Sequence, residues 1–488
     1  MRWTAPYADR IVRAIPALIL GYFALHVFLR VTAPGGLGLD EAEQMVATQT
    51  LEWGYGPQPP LFAWMQWAVF QATGPGKLGL ALLKNGLLAV ACLALWAAAI
   101  RATGSARLAA VAALSLFLMP AVAWEAQRAL THSVLAVAVA ALTVLWAVPR
   151  VEAPPEHPPG WGAIAALGAL AAAGLLAKAN FVILLVGLVG ALAAMRRLHP
   201  RYLGSVALAA ALMAGPALWI LRHPALVGQS AGKFGAEDGA GPGAALDGLL
   251  ALGGAVLAFA ALLAAAHAVL FWWRPPRSEA PAPDLTRFLG LWLAFGLAAV
   301  AIAVAATGTT EVKERWLQPV LTPLPLAATL AVAPRIGRAA LAPFLALVGA
   351  LAVAVLVALP LNLRHGGDDP SYQSAPIAAA AAALPAGPGL ALVEDDFLAG
   401  NLRLLRPDLG VLTPETPALS LAGAPRFAVW WSRDRSSPVP GALATLTRRL
   451  TGRDLAALPA HAAVFAYPPP HAGRTFHLHW ARLEDGAG

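Results

Sequence analysis

Residues 39–61, LDEAEQMVATQTLEWGYGPQPPL, hold Asp40, Glu41, Glu43 and Glu52, in a chain where charged residues make up only 12%. A carboxylate beside apolar surroundings can act as a general base toward a hydroxyl that reaches hydrogen-bond distance. Asp40 is the candidate base. Glu41 would tune it, because adjacent carboxylates raise each other's pKa by like-charge repulsion, or orient an acceptor. Asp40 is also a good helix N-cap, so helix capping competes with catalysis as its role. If residues 40–53 are helical, Glu43 and Gln44 follow Asp40 on one face a turn later. Further along, Arg128, Lys178, Lys313 and Arg315 are cations able to hold an anionic group. Lys178 stands out because it interrupts an apolar run. Its competing role is snorkelling to lipid headgroups, and Arg128 and Arg315 could equally be headgroup anchors. His132, between Thr131 and Ser133, could bind a ligand oxygen or pack between helices. Asp40, Glu41 and His132 could hold a divalent cation, but their spacing does not demand a metal. Tyr55 belongs to an aromatic set with Trp53, Trp64 and Trp67 that suits a membrane interface, with sugar stacking as the alternative.

The elements that must position these residues are read from the rest of the 488 residues. Hydrophobic residues make up 59%, and the mean hydropathy is +0.65. Apolar runs of about 20 residues, the length that crosses a bilayer as helix, recur up to about residue 363. Eleven spans are expected, at about 11–33, 78–100, 108–123, 129–148, 161–177, 179–195, 202–220, 248–271, 288–306, 317–333 and 339–361. Residues 161–195 are divided in two because a lysine at mid-bilayer costs on the order of 2.5–3.5 kcal/mol. The first span reads as a retained signal anchor.

The formal charge of +8 does not point to nucleic acid, since most basic residues sit in short loops between spans. Arg2, Arg10 and Arg13 precede the first span, and Arg101, Arg107, Arg150, Arg196, Arg197, Arg201, Arg274, Arg277, Arg335 and Arg338 fall in every second connection. By the positive-inside rule these connections and the N-terminus are cytoplasmic. The loop 34–77 is then external, and Asp40, Glu41, Glu43, Glu125, Glu311 and Glu314 gather with His132, Lys178, Lys313 and Arg315 on the same outer side, which suggests a polar site there. Cys92, the single cysteine, lies in an apolar run and excludes a disulfide framework.

After residue 363 the chain becomes rich in proline and charge. GLALVEDDF reads as a strand entering a turn, NLRLLRPDLGVL as helix then strand, RFAVWWSR as a strand, and PGALATLTRRLTG as a helix closed by glycine. The expected organisation is an all-α polytopic membrane domain, 1–363, and a small external α/β domain, 364–488.

Taken together, Asp40-Glu41 after the first span, the Gly-Tyr-Gly stretch, Pro59-Pro60-Leu61 leading to Trp64, GLLAKANFVILL, ERWLQPVLTPLPLAATL and LVEDDFLAGNL resemble the GT-C glycosyltransferases of the protein mannosyltransferase and aminoarabinose transferase type. The resemblance covers nearly the whole chain, with Asp40-Glu41 its most specific part. It implies a GT-C fold and transfer of a sugar from a polyprenyl-phosphate-linked donor to a lipid, glycan or protein acceptor on the outer, periplasmic face of a bacterial inner membrane. It maps the family's catalytic aspartate onto Asp40, the candidate base, and its hinge lysine onto Lys178; for the donor phosphate, Lys178, Arg128, Lys313 and Arg315 qualify by their expected place on the same side. Glu43, His132 and Tyr55 are candidates for the substrate pocket. Two positions depart from the family pattern. Gln58 replaces the lysine or histidine that many relatives carry before Pro-Pro; its amide can hydrogen-bond a phosphate but not neutralise it. Ser133 stands near the place of a second aspartate. The rival readings are a transporter or flippase of a lipid-linked sugar and a non-catalytic scaffold. Transporters hold charges near mid-membrane and show repeat symmetry; here the charges gather at one edge and no repeat is evident.

Overall fold

The computed structural model describes residues 5–154, 156–225, 242–276 and 279–484. Arg2 and Arg277 lie outside the described residues. In chain order the helices are α1 (Ala5–Thr32), α2 (Leu39–Ala47), α3 (Leu61–Thr73), α4 (Lys77–Thr103), α5 (Ala106–Leu114), α6 (Ala126–Arg128), α7 (Thr131–Glu152), α8 (Trp161–Ala177), α9 (Phe181–Ala194) and α10 (Leu203–Arg222). They continue with α11 (Pro242–His267), α12 (Pro283–Thr307), α13 (Gln318–Leu321), α14 (Leu324–Val332) and α15 (Arg338–His365). Then come α16 (Ile377–Ala383), β1 (Gly389–Val393), α17 (Asp396–Leu405), β2 (Leu409–Leu412), β3 (Pro425–Arg433), α18 (Gly441–Thr451), β4 (Ala460–Ala466) and β5 (Thr475–Arg482).

Among the described residues, seven helices are long and apolar enough to cross a membrane, or eight if the bent pair 106–118 and 121–128 is one span. Two expected spans are broken rather than continuous. Residues 108–123 bend by 74° where Met119 turns extended and Pro120 follows; proline disfavours helix at the residue before it. Residues 317–333 divide into α13 and α14 around Pro323. α8 and α9 are separate short apolar helices, and Lys178 at their junction is extended, φ −162° and ψ 126°. Seventeen residues reach about 25 Å at 1.5 Å per residue, so α8 is short for a bilayer.

The chain forms two compact units. The first comprises 1–26, 57–61 and 84–356; the second comprises 27–56, 62–83 and 357–488. In the first, small residues let helices approach closely, which in lipid replaces the hydrophobic drive to associate. A Cβ on Gly168 of α8 would meet the Ser205 carbonyl oxygen of α10 at 2.8 Å, and the Ser205 hydroxyl donates to Ile164 O at 2.7 Å. α9 meets α12 the same way, with Gly187 against the Trp292 backbone and the Trp292 indole donating to Leu184 O at 2.8 Å.

In the second unit the sheet order is β2-β1-β3-β5-β4. β1 pairs parallel with β2 and β3, whereas β5 pairs antiparallel with β3 and β4. Its core joins Val393, Phe397, Val411, Phe427, Val429 and Phe476 to Val46, Ala47, Tyr55 and Ala63 of the N-terminal segments. α2 lies on α17 with Gly400 at the crossing, where a Cβ would sit 2.2 Å from Ala42 O.

Candidate functional site

In the second unit, Asp40 occupies the first turn of α2 at intermediate exposure. Three backbone-directed bonds set the approach to that helix: Gly36 N–H donates to Gln373 O at 2.8 Å, Leu37 N–H donates to Asn401 Oδ1 at 2.7 Å, and Asn401 Nδ2 donates to Leu37 O at 3.3 Å. The cap is supplied by Glu41, whose Oε2 accepts Gly38 N–H at 3.1 Å. A carboxylate there satisfies a helix-end donor and complements the helix dipole. Glu41 also accepts two hydrogen bonds from Arg30, at 2.8 and 2.6 Å, and both side chains are 10% exposed. Lys77 donates to Ala33 O at 2.9 Å and lies within electrostatic reach of Arg30 and Glu41. Asp40 is therefore held by its helix, while the buried neighbour Glu41 performs the capping that Asp40 was a candidate for.

Glu43, half-buried, is within electrostatic reach of Asp396, whose carboxyl is held well above its ordinary range chiefly by burial. The Tyr55 hydroxyl donates to Thr50 O and accepts from Glu52 N–H, both at 3.1 Å. Burial pushes it up to about 12, so it is a neutral pin for the loop. Trp64 donates to Glu52 O at 2.7 Å.

In the first unit, Lys178 Nζ donates to Ser133 Oγ at 2.6 Å and to Arg315 O at 3.0 Å. Two residues on, Asn180 Nδ2 donates to Trp316 O at 2.6 Å. The break between α8 and α9 is thus tied to the start of α7 and to the turn 314–316, bringing Lys178, Ser133 and the Arg315 backbone together. His132, buried, lies in the first turn of α7. Arg128 is exposed and pairs with Glu125 at 2.8 Å; Lys313 pairs with Glu311 at 3.5 Å. The side chains of Gln58 and Arg315 are exposed. Asp40, Glu41, Glu43 and Tyr55 belong to the second unit, and Gln58, Arg128, His132, Lys178 and Arg315 to the first.

Sequence reasoning overlooked Arg30 and Lys84. Arg30 carried a signal: a cation at the C-terminal end of the first apolar run, opposite the end that Arg10 and Arg13 flank. Lys84, 6% exposed, donates to Gln127 O at 3.0 Å, and Gln127 Nε2 donates to Asn85 Oδ1 at 3.1 Å. The adjacent Lys84 and Asn85 inside an apolar run were its signal. Among the described residues no group of three His, Cys, Asp or Glu side chains is arranged to hold a metal ion.

Residues 57–220 match the family model described as dolichyl-phosphate-mannose-protein mannosyltransferase. The chain is 33% identical to the lipopolysaccharide core galacturonosyltransferase RgtA of Rhizobium johnstonii, over 86% of this chain and 85% of that protein. It is 31% identical to RgtB of the same organism, over 85% and 86% respectively. Among solved structures, ArnT from Cupriavidus metallidurans bound to undecaprenyl phosphate superposes with a TM-score of 0.59 at 14% identity, covering 97% of this chain and 98% of that one.

Proposed function

We propose, from the premise that the chain belongs to the GT-C glycosyltransferase family, that it moves a galacturonosyl group from a polyprenyl-phosphate donor to a hydroxyl of a lipopolysaccharide core. Membership rests on the identity to RgtA along most of both chains; the protein is a multi-pass membrane glycosyltransferase. The sugar and acceptor are those named for the two relatives, and the lipid class is that bound by ArnT. We place the reaction and the domain 364–488 on the periplasmic side of a bacterial inner membrane, because the arginines gather in the alternate connections.

Lys178 carries this reading: an ammonium at a break between two apolar helices, directed by Ser133 and the Arg315 carbonyl. In the reaction the acceptor oxygen bonds to the sugar's anomeric carbon and its proton passes to Asp40. The bond from that carbon to the phosphate oxygen breaks, and the electron pair leaves with the polyprenyl phosphate. Lys178 stabilises the departing phosphate as charge develops. Glu41, locked to Arg30, fixes the helix that presents Asp40. Gln58, Arg128 and Arg315 are assigned to the donor's phosphate, and Glu43 and His132 to the sugar and acceptor.

The test is transfer by purified protein from polyprenyl-phosphate galacturonate to lipopolysaccharide core, read by mass spectrometry. Asp40→Asn should lower the rate about 10²–10⁴-fold, the usual size of a general-base contribution, with an unchanged melting temperature. Transfer at the wild-type rate by that variant would remove Asp40 from the mechanism.

A further inference from the structure

α7 starts beside Ser133 and α9 starts just after Lys178, so the far ends of both helices lie away from the Lys178 cluster. There, Arg197 Nη1 donates to Arg150 O at 3.1 Å and to Ala153 O at 2.5 Å, capping carbonyls that the last turn of α7 leaves open. The Nε atoms of Arg150 and Arg197 are both turned away from solvent and have no hydrogen-bond partner. Among the described residues no carboxylate pairs with either guanidinium; the nearby Glu152 pairs with Arg101. The Tyr202 hydroxyl is within electrostatic reach of both guanidinium groups, its ring held edge-on to Trp146 at 6.0 Å. Arg201 sits 5.8 Å over the Trp161 ring. Next to these charges Trp161 is 70%, Leu198 49% and Leu203 71% exposed.

We infer that Arg150, Arg197 and Tyr202 form a binding site for the phosphate of an anionic phospholipid headgroup. Both side chains are half-buried and neither guanidinium has a carboxylate partner among the described residues, so an anionic oxygen that meets their open atoms supplies the charge-assisted hydrogen bonds that the fold leaves unmade. The exposed leucines and tryptophan beside the charges suit acyl chains, which a soluble phosphate lacks. Basic pockets between spanning helices are the setting in which lipid headgroups are bound. The site uses none of the residues assigned to sugar transfer.

Native mass spectrometry of the full chain in detergent tests it, with phosphatidylglycerol, phosphatidylcholine or inorganic phosphate added. Wild type should retain phosphatidylglycerol about fivefold more than Arg150→Gln, the size expected for one arginine at a headgroup. Retention of phosphatidylcholine should not differ between the two. Tyr202→Phe, which keeps the ring on Trp146, should give a smaller loss in the same direction and serves if Arg150→Gln melts early. Equal phosphatidylglycerol retention by wild type and both variants would overturn the site. Displacement of the lipid by millimolar inorganic phosphate would overturn the lipid assignment and leave a soluble anion as the ligand.

Discussion

Arg30 holds Glu41 by two parallel hydrogen bonds, and the same carboxylate closes the first turn of α2 through Gly38 N–H. One buried acid thus joins the end of the first span to the helix that carries Asp40. Truncating one partner of a buried ion pair leaves the other charge uncompensated, at about 3–5 kcal/mol. Glu41→Ala should therefore lower the melting temperature of the detergent-solubilised protein by several degrees, and Arg30→Met combined with Glu41→Leu by less than Glu41→Ala alone. A melt unchanged by Glu41→Ala would show that the pair does not stabilise the fold.

Lys178→Met keeps the aliphatic stem and removes the charge. Initial rates should show a rise in the apparent KM for the polyprenyl-phosphate donor of about tenfold or more, given a charged hydrogen bond of about 1.5–3 kcal/mol. The KM for the acceptor should stay within about twofold. Equal changes for both substrates would argue against a phosphate contact.

Gly400 lies where α17 crosses α2, so a methyl group there meets backbone, not a side chain that can turn aside. Gly400→Ala should destabilise by about 1–3 kcal/mol, the range for overpacked contacts. Limited proteolysis should then cut the second unit sooner, and an unchanged digestion pattern would refute the close contact.

Glu394, at the end of β1, is raised to about 7, first by burial and then by the charge of Asp395, against a hydrogen bond from Trp431 N–H that lowers it. A carboxyl held above its unfolded value favours the folded state while protonated, and this stability is lost as pH rises through the folded pKa. The melting temperature should fall from about pH 5 to about pH 8, and Glu394→Gln should flatten that slope. Parallel slopes for the two proteins would exclude Glu394 as a source of the dependence.

The spans were legible because a lipid-facing helix must be apolar along its whole length, and the junction at Lys178 because a charge interrupts one. β1 to β3 and the helix ending at Gly452 could be read from alternation and a closing glycine. β4 was not legible as a strand, since AHAAVFA is an exposed edge with little apolar alternation, whereas TFHLHWAR of β5 alternates through Phe476, Leu478 and Trp480 and its signal was overlooked. The bend at Met119-Pro120 was missed because hydropathy runs through it unbroken. At the site, Asp40 and Lys178 were conspicuous as charges beside apolar runs. The pairing of Arg30 with Glu41 and the clamp of Asn401 on Leu37 depend on chain folding back over 11 and 364 residues, which no local pattern encodes.

Leu130 has a left-handed backbone, φ 68° and ψ 87°, one residue before the helix that presents His132 and Ser133. A branched side chain in that region costs roughly 1–2 kcal/mol, so the short peptide by itself would relax out of it. Substitution at position 130 is consequently governed by chirality more than by size or polarity. Glycine would adopt the twist without penalty but leave Ser133 with more slack in its aim at Lys178, whereas valine or isoleucine would resist the twist and pull the hydroxyl off target.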